Sequence, residues 1–280
     1  MSSVLYINKP KGISSFDVCY KLRKVLNTTK IGHTGTLDPN ATGVMIVLYD
    51  KSCKASQFLL ADTKEYKTRV LLGKQTDTLD IDGNVISESD FVVPDRNTLI
   101  EALDSFKGKS KQKVPLTSAK KVYGKRLYQY QLKNINVELP VIDINIETIE
   151  LDEIYDDGFS FTCRVSSGTY IRSLVQDILD KLSLKGTVLE LCRTMINDIS
   201  ISDCDELDDV INGKYTSHEL IDVISKRYSI YNVDNKSDIL NGKRIKIDSD
   251  EEYLAIVNNN DLLAIYKKDG LDYKCIRGLW

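Results

Sequence analysis

The sequence predicts an α+β chain with a small β-rich module at its C-terminal end, and three observations predict it. Alternating segments such as Val141 to Leu151 and Phe159 to Val165 meet at an Asp157-Gly158 turn. Apolar residues at helical spacing recur around Phe16 and again after Thr169. After Arg227 the pattern changes to short strand-like pieces separated by Asn, Asp and Gly.

Taken in order, Val4 to Asn8 reads as a strand, closed by the turn Lys9-Pro10-Lys11-Gly12. Ser14 stands three residues before Asp17, an acidic form of the capping box. Phe16, Cys19, Leu22 and Leu26 then predict an amphipathic helix over Ser15 to Leu26. Ile31 to Gly43 holds three glycines and Pro39 without apolar periodicity, and reads as one long shaped loop. Gly43 to Tyr49 and Lys64 to Gly73 read as strands, and Asp82-Gly83 as a hairpin-type turn. Thr98 to Leu103 reads as a short helix. Thr169 to Leu182 carries the clearest stripe, Ile171, Leu174, Val175, Ile178, Leu179 and Leu182, with Thr169 as the expected N-cap. Tyr253 to Val257, Leu262 to Tyr266 and Lys274 to Ile276 complete the C-terminal strands. The expected division is 1–227 for the main domain and 228–280 for the module.

The chain has 280 residues, with 42% apolar and 28% charged side chains, which excludes global disorder. No apolar run reaches the length of a membrane span, and no leader-like core follows the N-terminus. A cytoplasmic location is expected. Six scattered cysteines without a C-x-x-C pair point to reduced thiols, and two histidines argue against a metal site.

Net charge is −3, yet its distribution is uneven. Met1 to Lys74 carries twelve Lys/Arg against five Asp/Glu, and Lys107 to Lys133 carries nine Lys/Arg and no acid. The compensating acids gather between Asn134 and Asp157 and between Asp198 and Asp209. A basic face on an acidic protein suits an RNA partner.

The chemistry centres on Gly32-His33-Thr34-Gly35-Thr36-Leu37-Asp38-Pro39. Pro39 drives Asp38 toward extended backbone, and the flanking glycines admit a ligand closely. A carboxylate held this way can serve as nucleophile or base, although an isolated Asp-Pro is more often only a turn. Arg172 falls in the first turn of the second helix, where the helix dipole disfavours a cation, so a nearby carboxylate is expected.

The string from Gly32 to Gly43 resembles the catalytic motif of the TruB family of tRNA pseudouridine-55 synthases. Four further stretches resemble that family in the same order. They are Asn8 to Ser15, Lys64 to Gly83, Ser167 to Leu174, and Leu189 to Thr194. The resemblance covers roughly residues 5 to 205. It implies the pseudouridine synthase fold, with a long, mostly antiparallel mixed sheet and a PUA-like C-terminal module. It also implies isomerisation of uridine 55 in the T-arm of tRNA, without metal or other cofactor. Asp38 resembles the nucleophile, which attacks C6 of uracil or C1′ of the sugar. Arg172 resembles its partner, and Tyr66 the aromatic that packs on the base.

His33 resembles a wedge that fills the gap left by the flipped base. Asp80, Tyr170 and Leu191 resemble contacts to the target nucleotide, and Lys9 and Lys121 resemble RNA-binding residues. Lys107 to Lys133 resembles an RNA-clamping insertion, with Tyr123, Tyr128 and Tyr130 set among basic side chains for stacking. It departs from the family at Thr117, where an aromatic is usual. A monomer is expected. The alternatives are a T-arm-binding RNA-folding helper, or the same chemistry on another structured RNA.

Overall fold

The computed structural model describes every residue except Met1, Ser2, Ala61 and Asn134, and omits the Ser3 side chain. The chain forms two compact units that interleave along the sequence. One comprises Met1–Pro39, Val44–Leu60 and Ser202–Trp280, and the other Asn40–Gly43 and Ala61–Ile201. Residues 228–280 therefore fold in the same unit as the N-terminal strand and helix.

In the first unit, the strand Ser3–Lys9 is a hydrogen-bonded neighbour of the strand Thr42–Tyr49. It also pairs in parallel with Asp205–Glu206 and antiparallel with His218–Glu219. The helix Ser15–Val25 lays Val18, Cys19 and Leu22 on this layer, against Leu5, Ile7, Met45 and Val47. The helix starts where expected. Ser14 Oγ accepts from the Asp17 amide at 3.1 Å, and the Asp17 carboxylate accepts from the Ser14 amide at 2.9 Å. Ser14 holds that carboxyl below the usual range. Ile31–His33 is a short strand paired with the Tyr49 end of Thr42–Tyr49. The expected loop thus begins only after His33. The C-terminal residues form a four-stranded sheet of Ser229–Asn232, Tyr253–Asn258, Asp261–Asp269 and Asp272–Gly278. Ile239, Leu254, Ile256, Tyr266 and Tyr273 fill its core.

In the second unit, five strands run antiparallel in the order Gly186–Ile196, Thr63–Leu72, Gly158–Ser166, Val141–Tyr155 and Gly108–Lys113. One face carries Val70, Phe159, Phe161, Cys163 and Val165, all fully buried. The helix Ile171–Lys181 buries Ile171, Leu174, Val175, Ile178 and Leu179 of its predicted stripe, while Leu182 is its half-buried C-cap. Its N-cap is Tyr170 rather than the expected Thr169, whose hydroxyl instead donates to Ser166 O at 2.9 Å. Lys74–Thr76 and Val85–Glu88 form the hairpin announced by Asp82-Gly83. A Cβ on Gly83 would lie 2.3 Å from Thr78 Oγ1.

The basic insertion is an ordered piece of this unit. Gly108–Lys113 is an edge strand of the sheet. Beyond it, Lys121–Val122 pairs with Lys125–Arg126, followed by a helical turn Leu127–Gln131. Val114, Leu127 and Tyr130 form its own small core. Tyr130, expected to stack on RNA, is buried and donates its hydroxyl to Val122 O at 2.9 Å. Tyr123, by contrast, is 84% exposed at the turn.

Candidate active site

In the first unit the loop after His33 is fastened on both sides of Asp38. The Leu37 amide donates to Ser15 Oγ at 2.8 Å, and that hydroxyl donates to Leu37 O at 3.1 Å. Pro39 O accepts from the Gly12 amide at 2.9 Å and from Lys9 Nζ at 2.9 Å. Asp38 is half-buried between these two anchored neighbours, so its carboxylate leaves a backbone with little freedom. Lys9, expected to touch RNA, is 0% exposed. It also donates to Pro10 O at 2.9 Å and Ile13 O at 2.7 Å. Its ammonium therefore braces the Asp38 loop from inside. His33 ends its short strand opposite Val47.

The second unit assembles the other expected residues around one sheet face and one helix start. Tyr66 lies between Cys163 and Arg193 in neighbouring strands, and Leu191 is opposite Thr68 one rung further on. Directly opposed residues share a face of an antiparallel sheet. Tyr66 and Leu191 thus project to the same side, with Tyr66 7% exposed. Gly43 pairs with Arg193 at the edge of this sheet, with a backbone φ of 102°. A Cβ there would come within 2.2 Å of Arg193 O, so only glycine allows that approach.

Arg172 is 5% exposed. Its Nη1 donates to Thr78 O at 2.7 Å and Thr117 Oγ1 at 2.8 Å, and its Nη2 to Thr117 O at 2.8 Å. The Asp80 carboxylate stands 3.7 Å away. A cation at the start of a helix needs such compensation, and the Asp80 carboxylate and these three oxygens contribute to it. Asp80 is itself fixed: Oδ1 accepts from Thr78 Oγ1 at 2.6 Å and the Asp82 amide at 3.2 Å. Tyr170, next to the helix, has its backbone clamped by Gln112. Its amide donates to Gln112 Oε1 at 2.8 Å, and its carbonyl accepts from Gln112 Nε2 at 3.1 Å. Lys121 is exposed on the insertion hairpin.

Gln112 and Thr117 were not singled out as site residues by the sequence. Thr117 replaces the usual aromatic with a hydroxyl that reaches Arg172. Gln112 is the only buried residue in the strand Gly108–Lys113, and a lone amide among lysines was the one available hint.

The family model for the N-terminal domain of TruB family pseudouridylate synthases matches residues 23–171. A tRNA pseudouridine synthase B of Clostridium tetani is 36% identical, covering 99% of this chain and 97% of that protein. One of Lactobacillus johnsonii is 33% identical, covering 98% and 97% respectively. The fold also matches a chain from a structure of an H/ACA RNP bound to a substrate RNA containing 2′-deoxyuridine. The TM-score is 0.72 at 20% identity, covering 99% of this chain and 85% of that one. The fold is that of the pseudouridine synthases, its C-terminal four-stranded sheet fits a PUA-like module, and this chain belongs to the TruB family of pseudouridylate synthases.

Proposed function

We propose that this enzyme converts uridine 55 in the T-arm of tRNA to pseudouridine, with Asp38 as nucleophile. The reading is supported above all by the bracing of Leu37 and Pro39, which holds the intervening carboxylate as a nucleophile must be held. The target base is flipped from its stack and packs on Tyr66 beside Leu191. Asp38 adds to C6 of uracil or C1′ of the ribose, the glycosidic bond breaks, and the base rotates and rejoins through C5. Release of the Asp38 carboxylate, loss of the C5 proton and uptake of one proton at N1 complete the isomerisation, with no net change in atoms. Arg172 partners the nucleophile, and Asp80, held by Thr78, contacts the target nucleotide with Tyr170. His33 fills the vacated stack. Lys121, on the exposed basic hairpin, contacts phosphate, and residues 228–280 add an RNA-binding surface. The enzyme acts in the cytoplasm as a monomer and uses no metal or cofactor.

Incubation with an unmodified tRNA transcript, followed by mapping of pseudouridine, tests this. Modification at position 55 is expected. Asp38→Asn should lose at least about a thousand-fold in rate while keeping RNA affinity, because only the covalent step is removed. Turnover by that variant at the wild-type rate overturns the role of Asp38, and modification at another uridine overturns the assigned position.

A further inference from the structure

Lys64 stands two residues before Tyr66 on the strand Thr63–Leu72, so the two side chains leave the sheet on the same face. Its neighbours across the sheet are Val165 and Ile196, both buried and apolar. One rung along, Tyr66 is opposed by Arg193, which is fully buried. Lys64 itself is half-buried. Among the described residues no carboxylate pairs with its ammonium and no oxygen accepts from it. Burial, and after it the charge of Arg193, push its pKa down to about 8. An ammonium drawn off the surface is ordinarily paired. An apolar residue between Val165 and Ile196 would stabilise this face better than an unpaired charge.

We propose that Lys64 is the phosphate subsite of the active site: its ammonium, backed by Arg193, receives the phosphodiester adjoining the target uridine. The inference rests on the reading that a uridine flips in against Tyr66. A flipped nucleotide brings its phosphates with it, and Lys64 lies about 7 Å along the strand from Tyr66. The bound phosphate supplies the counter-charge that the fold omits, so Lys64 rewards RNA only when the nucleotide is seated.

The test uses a T-arm stem-loop RNA with one neutral methylphosphonate linkage, placed 5′ or 3′ of the target uridine. Wild-type enzyme should lose roughly ten- to a hundred-fold in kcat/KM at one of the two linkages. Lys64→Met should lose a similar factor on all-phosphate RNA and nothing further from that methylphosphonate, since both changes remove the same contact. Lys64→Arg should recover part of the loss. Lys64→Met should also melt a few degrees higher than wild type, because a half-buried charge without a partner among the described residues has gone. Losses that multiply at both linkages, or a Lys64→Met protein that melts lower or does not fold, overturn the subsite. Wild-type enzyme that leaves the all-phosphate RNA unmodified overturns the underlying function instead.

Discussion

Lys9 and Lys64 are two lysines withdrawn from water, one in each unit, and the protein treats them in opposite ways. Lys9 places its ammonium against Pro10 O, Ile13 O and Pro39 O. Lys64 places its own against apolar neighbours and a like charge. The first fastens a loop, and losing it should loosen the protein. The second weakens the fold, and losing it should tighten the protein. A buried charge whose partners all lie within the fold is a structural part, whereas one without partners is held ready for something that arrives.

The largest effect that could break this contrast is at Lys9. Lys9→Met strips a donor from three carbonyls around the Asp38 loop and should destabilise by roughly 2–5 kcal/mol, read by urea unfolding. Unchanged stability would remove the structural half of the contrast. Next comes the pH dependence of Lys64. Its folded pKa lies near 8, below the ordinary 10.5. The unfolded chain therefore binds more protons between those values, and stability rises as pH climbs from about 8 to about 10.5. The gain is at most about 3 kcal/mol, less where water reaches the side chain. It should appear as a difference between wild type and Lys64→Met in denaturation at several pH values. A parallel pair of curves would show that Lys64 is solvated.

Arg172 extends the comparison to a cation that takes hydrogen-bond acceptors from its own unit. Thr117→Val keeps the volume but removes the hydroxyl at 2.8 Å from Nη1. It should cost about 1–2 kcal/mol, or roughly 5- to 30-fold in kcat/KM. The smallest effect concerns Thr68, whose hydroxyl is buried on the Tyr66 face and has no hydrogen-bond partner among the described residues. Thr68→Val should be neutral or more stable by up to about 1 kcal/mol in thermal unfolding. A clear loss of stability would mean that the hydroxyl has a partner such as bound water.

The helix Ser15–Val25 was legible because burial imposes one clean period on it, and the hairpin at Asp157-Gly158 because its turn residues and the alternation from Phe161 to Val165 mark it despite register shifts at Ile146/Thr148 and Leu151/Ile154. The strand Gly186–Ile196 was not, because register shifts at Val188/Glu190 and Arg193/Met195 interrupt its alternation. Gly108–Lys113 has no apolar residue and read as loop. It is a strand only because Val141–Ile146 pairs with it. At the site, motifs named Asp38, Tyr66 and Arg172, and a carboxylate beside Arg172 followed from its place in the helix. That Asp80 is within reach could not be seen, since nothing local ties residues ninety apart. Gln112 was hidden for the opposite reason. It looks like surface until strand register shows which side it faces.

The interleaving of the two units has a consequence for biosynthesis. Ile7 pairs with Asp205, and Val4 with His218, so the first strand emerges from the ribosome long before the edge facing those residues can be covered. Ala61–Ile201 is continuous and can collapse while translation proceeds. Pairings so distant in sequence are slow to form. The first unit is therefore completed last, and a chain truncated before residue 205 would carry Ala61–Ile201 with that unit unfinished.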